Sequence, residues 1–313
     1  HTKVNRPWGW FETFEEVDTF KVKLIQIDPG KSISLQRHQQ RSEHWVVVKG
    51  LATITRDQEK FNLTGKVAII TGASKGIGEA MARGMAEFGA TVVVSSRKQE
   101  AVDAVANQFV SEGLSAIGIE CHVAKADHRE ALVKKVMEKY GRIDILINNA
   151  GTNPYFGPLH KMPDNLYQKT MDVNINSAMA LSNLVYPIMK SQGGGSIIHV
   201  SSIEGFHASK MMAAYNISKA ALIMLGNNQA IEWGKHNIRV NTICPGYVKT
   251  KLSEALLANE ELVKSFEKNC ALGRYSTPDE MAGLAVFLAS DASSYMTGST
   301  IVNDGGLLHA PLF

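Results

Sequence analysis

The sequence predicts an α/β protein: a doubly wound parallel sheet of about seven strands with helices on both faces, preceded by a small antiparallel β segment. Three observations carry this expectation. From Lys66 onward, strand-length apolar runs alternate with helix-length segments about seven times, and repetition of that kind implies a parallel sheet covered by crossover helices. The first run, KVAIITG (66–72), passes straight into a glycine-rich loop that opens a helix. Before residue 58 the texture differs, with short alternating runs instead of continuous apolar ones.

In the first segment, KVKLIQI, SISLQRH, HWVVVKG and LATITR alternate polar with apolar residues between Lys21 and Arg56, and DPGK and KG separate them as turns. That is the pattern of antiparallel strands. The polar stretch RDQEK (56–60) reads as a linker, so the expected division is 1–58 and 59–313. The second part begins with KVAIITG, apolar throughout as a strand buried on both faces should be. A helical pattern follows from Ile77 to Phe88, then the strand TVVVSS and a helix from about Gln99 to Glu112. LSAIGIE, DILINNAG, GSIIHVSS and NIRVNTICPG are the next strands, each followed by a helix-length segment, and STIVNDGG is the last.

Composition narrows the functional class. The formal charge of +3 over 313 residues, with no basic tract, argues against a nucleic-acid partner. No apolar run is long enough to span a bilayer and the first residues hold no signal-peptide core. Cys121, Cys244 and Cys270 form no CxxC pair and are odd in number, which fits a reducing compartment, and a cytoplasmic location is expected. Each reads as a small core residue rather than a nucleophile.

The loop TGASKGIG (71–78) lies between a strand and a helix. Gly72 permits a sharp turn, while Gly76 and Gly78 let the backbone approach a pyrophosphate and the helix offers free N–H groups to it. Ser74, Lys75 and Ile77 complete this cradle. The spacing TGxxxGxG resembles the cofactor loop of the short-chain dehydrogenase/reductase family, whose fold is of the Rossmann type. An acid after the second strand would favour NAD(H) through the adenosine ribose, and a base would accommodate the 2′-phosphate of NADP(H). Here the strand ends in Ser96, Arg97 and Lys98, with Lys75 nearby. Arg97 can offer a two-pronged hydrogen-bonding fork to a phosphate, so NADP(H) is expected, with NAD(H) open if these are merely solvated charges. Where the family often has an aspartate for the adenine, this chain has His122.

AYNISKAA places Tyr215 and Lys219 four apart, on one face of a helix. A free phenol has a pKa near 10, and a neighbouring ammonium lowers it, so Tyr215 is expected to act as general acid/base. Ser202 ends the strand GSIIHVSS and can hold the substrate oxygen. Its separation from Tyr215 resembles the family's and selects it over Ser201. The resemblance further implies that Asn174, in MDVNINS, holds a water linking Lys219 to solvent, and that Lys219 also holds the nicotinamide ribose. It implies that NNAG, with Asn149, Ala150 and Gly151, braces the sheet beside the cofactor. PGYVKT, with Pro245, Gly246, Val248 and Thr250, would contact the nicotinamide, and NDGG (303–306) resembles the family's closing strand. These motifs occur in family order over roughly residues 61–313, about four fifths of the chain. SSRKQ, CHVAKA and NPYFGPL particularly resemble the dehydrogenase/reductase 4-like carbonyl reductases. The implied reaction is hydride transfer between the nicotinamide and a small-molecule ketone, aldehyde or alcohol.

RPWGWFE and the segment DPGK…VVVKG resemble the cupin domain of type II phosphomannose isomerase/mannose-1-phosphate guanylyltransferase enzymes. Gly30, His38, Glu43 and Gly50 match the first cupin motif, but Gln36 stands where a generic cupin has a histidine ligand, and the second motif is missing. No metal site is expected from this half-cupin. Two other readings stand beside the oxidoreductase: a nucleotide-binding scaffold without turnover, and a metal-dependent sugar isomerase. A variable lid is expected from Lys251 to Arg274, with Leu256, Leu257, Phe266 and Leu272. With Phe156, His207, Met211 and Tyr247 it predicts a mostly apolar substrate, and family members are usually homotetramers.

Overall fold

The computed structural model describes residues 3–6, 9–16, 21–28, 55–56, 59–60, 63–251, 253 and 260–309. Its contacts divide the chain into two units, His1–Lys60 and Phe61–Phe313.

In the first unit, β1 (Lys3–Arg6), β2 (Gly9–Glu16) and β3 (Lys21–Ile27) form an antiparallel sheet in that order. Of these three, β3 alone was legible as a strand, and the end of the run LATITR forms a further one, β4 (Thr55–Arg56). The sequence GWFETFEE of β2 does not alternate cleanly, and its register with β3 shifts between Thr13 and Glu15, as an inserted residue requires. The polar stretch expected to be a linker is instead half of a hairpin: β4 (Thr55–Arg56) pairs antiparallel with β5 (Glu59–Lys60). Polarity alone does not prevent pairing, because backbone groups make the ladder. The runs SISLQRH and HWVVVKG, and with them Gln36, His38 and Glu43, lie outside the described residues.

The second unit is built on a seven-stranded sheet. Its strands are β6 (Val67–Thr71), β7 (Thr91–Ser96), β8 (Ala116–Glu120), β9 (Ile145–Asn148), β10 (Gly195–Val200), β11 (Ile238–Pro245) and β12 (Thr300–Asn303). The order across the sheet is β12-β11-β10-β9-β6-β7-β8, and every pairing is parallel. This is a Rossmann-type doubly wound sheet. Alternate residues of each strand face opposite sides. Ala68, Ile70, Val92, Val94, Ile145 and Ile147 therefore pack in one core, with Met81 and Met85 of α1 (Gly76–Glu87) and Val102 and Phe109 of α2 (Gln99–Ser111). Val67, Ile69, Val93 and Leu146 pack in the other, with Leu132 and Val136 of α3 (Ala126–Tyr140). The α4 helix (Asp164–Met171) runs through a π-helical turn, Asp172–Asn176, into α5 (Ser177–Ser191). Leu181 and Val185 of α5 join the second core, as does Trp233 at the end of α6 (Ala213–Trp233). The last helices are α7 (Glu260–Asn269) and α8 (Ala282–Ala289).

Strand order reverses between β6 and β9. Both connections turn away from each other there and leave a crevice at the carboxyl ends of the strands, where ligands bind in sheets of this kind. Among the described residues, no helix is long and apolar enough to cross a membrane.

Candidate active site

The crevice at the reversal point has a volume of about 1920 Å³, enough for a dinucleotide and a substrate together. Every residue assigned to cofactor binding from the sequence lines it, as do Ser202, Tyr215 and Lys219. Asn174 does not.

The glycine loop fits a phosphate for a steric reason. Gly72 has a φ of +66°. A Cβ on Gly78 would lie 2.5 Å from both Asn149 Nδ2 and the Gly72 carbonyl oxygen, so only glycine allows this approach. The α1 helix starts at Gly76 behind Lys75, which offers no side-chain cap. Its first N–H groups are thus left to bind an anion. The opposite wall is braced by Thr71: its hydroxyl accepts the N–H groups of Asn149 and Ala150, both at 3.1 Å. Asn149 Nδ2 donates to the carbonyls of Thr71 (2.9 Å) and Gly72 (3.2 Å). Thr71 was missed because a strand-end threonine carries no pattern of its own.

At the adenine end, Arg97 and Lys98 are exposed on the crevice rim with Ser96, Lys75 and His122. None of the crevice residues contributed by the ends of β7 and β8 is a carboxylate. His122 is held below its ordinary pKa, first by burial and, against a backbone hydrogen bond, also by Arg97 and Lys125. Its Nδ1 is buried without a hydrogen-bond partner.

At the other end, β10 delivers two serines with different tasks. Ser201 Oγ donates to the Lys219 carbonyl at 2.7 Å and pins α6 to the strand end. Ser202 Oγ accepts the Glu204 N–H at 3.1 Å, and the serine hydroxyl works to lower the Tyr215 pKa. Lys219 is buried, and its Nζ donates to the Val200 carbonyl at 2.8 Å and lies 5.5 Å from the Tyr215 ring centroid. Burial draws the Lys219 pKa down to about 8. The expectation of an acidified phenol is corrected: Tyr215 is pushed up to about 12, chiefly by burial, with Ser202 opposing the rise and Glu204 and Cys244 adding to it. The ammonium donates to the Val200 carbonyl, and desolvation of the phenol outweighs the pull of its charge.

Asn174 sits in the π-helical turn, a distortion that recurs at functional sites. Its Oδ1 accepts the Thr152 N–H at 2.8 Å, and its Nδ2 donates to the Thr152 carbonyl and to Ser218 Oγ, both at 2.9 Å. A Cβ on Gly151 would lie 3.5 Å from Lys219 Nζ and 3.7 Å from Asn174 Oδ1, so both groups border the same small space. The thiol of Cys244, buried beneath Ser201 and Ser202, is pushed up to about 11 by burial and is no nucleophile.

Of the residues expected at a substrate pocket, Phe156 and Tyr247 line the crevice, with Ile203 and Met212 beside them, whereas His207 and Met211 do not line it. Tyr247 packs against Phe266 of α7 with ring centroids 4.1 Å apart and planes tilted by 41°, and Tyr275 stands edge-on to both. Leu272 is exposed, and Leu256 and Leu257 lie outside the described residues. Glu204, another crevice residue, was not singled out, because a lone acid after a strand has no motif.

Comparison with known proteins yields matches to both parts of the chain. The family model described as enoyl-(acyl carrier protein) reductase matches residues 72–308, and that of the mannose-6-phosphate isomerase C-terminal region matches residues 1–76. Human dehydrogenase/reductase SDR family member 4 is 43% identical over 78% of this chain and 88% of its own length. A gluconate 5-dehydrogenase from Burkholderia cenocepacia, in complex with NADP and tartrate, superposes with a TM-score of 0.78 at 34% identity, over 80% of this chain and 98% of that one. A 7α-hydroxysteroid dehydrogenase complexed with NADH and 7-oxo glycochenodeoxycholic acid superposes with a TM-score of 0.75 at 35% identity, over 79% and 95%.

Proposed function

The chain belongs to the short-chain dehydrogenase/reductase family and is an NAD(P)-dependent oxidoreductase of CH–OH and C=O groups, and from that premise we propose that it reduces ketones or aldehydes with NADPH, using Tyr215 as the general acid. The observation that carries this reading is the convergence of Ser202, Tyr215 and Lys219 at one end of the crevice.

The cofactor, when bound, supplies the hydride that the carbonyl carbon accepts. With its pKa near 12, Tyr215 is protonated at neutral pH, the form that gives a proton to the substrate oxygen. The Ser202 hydroxyl holds that oxygen beside it. Lys219 places its charge 5.5 Å from the ring and stabilises the phenolate that forms as the proton leaves. Asn174 keeps the Gly151–Thr152 backbone in place next to the ammonium. NADPH is favoured over NADH by Arg97, Lys98 and Lys75 on the rim and by the lack of a carboxylate beside them. Both cofactors occur among the similar structures, so the choice rests on these residues. The apolar wall of Phe156, Ile203 and Met212 favours a carbonyl with an apolar substituent, nearer in kind to the oxo-steroid of one similar structure than to gluconate.

The assembly is proposed to be a homotetramer. Ile217, Met224 and Ile231 of α6 are 44%, 59% and 83% exposed and stand seven apart, so they share one helix face. A second copy of this helix would cover that stripe.

Five outcomes are expected. Tyr215→Phe lowers ketone reduction by about 10²- to 10⁴-fold, the range for loss of a general acid. In the unmodified enzyme, alcohol oxidation needs the phenolate beside the charged Lys219, and rises about tenfold per pH unit up to about pH 8, where it levels off. Reduction needs the phenol and the Lys219 charge, which is present below pH 8 and lost above it, so reduction declines above about pH 8. Turnover surviving Tyr215→Phe, or oxidation that falls from pH 6 to 9, contradicts the assignment. Arg97→Asp narrows the preference for NADPH over NADH in kcat/KM by about 1.5–3 kcal/mol, roughly ten- to hundredfold; an unchanged ratio assigns the phosphate elsewhere. Ile231→Glu yields a smaller species in sedimentation velocity, and a parent enzyme that sediments as a monomer contradicts the tetramer.

A further inference from the structure

Glu204 is a carboxylic side chain with only 4% of its surface exposed, two residues beyond Ser202, and the mechanism above makes no use of it. Burying such a group costs free energy unless donors surround it. Here three do. Oε1 accepts the Tyr247 hydroxyl at 3.0 Å, and Oε2 accepts Asn216 Nδ2 at 3.1 Å and also the Ser209 hydroxyl. Its backbone N–H donates to Ser202 Oγ, so the serine's own proton is left for a carbonyl oxygen.

The donors belong to different elements. Ser202 and Ser209 lie on the segment after β10, Asn216 is the neighbour of Tyr215 on α6, and Tyr247 follows β11. Tyr247 in turn packs against Phe266 of α7. One side chain therefore links the serine segment, the tyrosine helix and the helix over the substrate wall. Both its oxygens are committed to protein donors, which argues against a role as a substrate ligand.

We propose that Glu204 is a positioning residue, a strut that fixes Ser202 relative to Tyr215 and fastens α7 over the site through Tyr247. The inference rests on the assignment of Ser202 and Tyr215 above. Displacement of reacting groups by about an ångström can cost on the order of 10²-fold in rate. Loss of the strut thus lowers kcat, whereas the cofactor loop, which Glu204 does not touch, keeps its affinity.

The test uses the full chain and whichever of a fixed panel of aryl and alkyl ketones is reduced fastest. It measures kcat, KM and the NADPH dissociation constant for Glu204→Ala, Glu204→Gln and Tyr247→Phe. Glu204→Ala is expected to lower kcat by about tenfold or more with NADPH affinity unchanged. Glu204→Gln keeps an oxygen acceptor and can donate its amide to the Tyr247 hydroxyl, so it restores most of the rate. Tyr247→Phe keeps the ring against Phe266 but removes the hydrogen bond that ties it to Glu204, and so raises KM more than it lowers kcat. A folded Glu204→Ala enzyme with full kcat overturns the proposal, as does a glutamine variant no better than alanine. Where the alanine variant does not fold, Tyr247→Phe decides: an unchanged KM overturns it. Failure of the Tyr215 assignment reads differently, as turnover that survives Tyr215→Phe while the Glu204 variants keep their own pattern.

Discussion

A buried ammonium needs a partner, and the way Lys219 finds one sets the geometry of the whole site. Its Nζ reaches back to the Val200 carbonyl at the end of β10, while Ser201, the next residue, returns a hydrogen bond to the Lys219 carbonyl. The two bonds are reciprocal and lock α6 against the strand. Gly226, further along α6, sustains the same contact: a Cβ there would lie 2.7 Å from Thr242 Oγ1 and 3.2 Å from His199. Tyr215, one turn before Lys219, is then held next to Ser202. Desolvation has two further effects. It draws the lysine down to about 8 and drives the phenol up to about 12. The site rests with its proton on the tyrosine, the state suited to protonating a carbonyl oxygen, and the lysine charge acts as that proton departs.

The sheet was legible because its strands are buried on both faces and so read as unbroken apolar runs. All seven strands of the second unit appear where KVAIITG, TVVVSS and their successors place them. The crevice was legible for a similar reason: steric demands on Gly72 and Gly78 leave glycine as a visible mark, and side chains one helical turn apart on α6 leave a fixed spacing. What spacing cannot convey is protonation. The sign of the Tyr215 shift depends on how deeply the phenol is packed, and that is not written in YxxxK. The same holds for the π-helical turn at Asn174 and for Glu204, whose partners come from three separate stretches of chain.

The first unit shows the converse. Alternation predicted strands well enough at KVKLIQI, yet β1 and β2 went unread and a polar stretch taken for a linker forms a hairpin. Short antiparallel strands carry a weak signal, because their ladders draw on backbone groups common to every residue. The match of residues 1–76 to the mannose-6-phosphate isomerase C-terminal region is independent of the dehydrogenase motifs and overlaps them only at the glycine loop.

The central claim is that the charge of Lys219 stabilises the phenolate as Tyr215 gives up its proton. Single-turnover reduction of a ketone by Lys219→Ala, with NADPH already bound, tests it most directly when run with and without added methylammonium. The account predicts a loss of about 10²-fold or more, partly reversed by the small cation entering the vacated space. A variant that reduces the ketone at the parent rate, with no response to the amine, would contradict it.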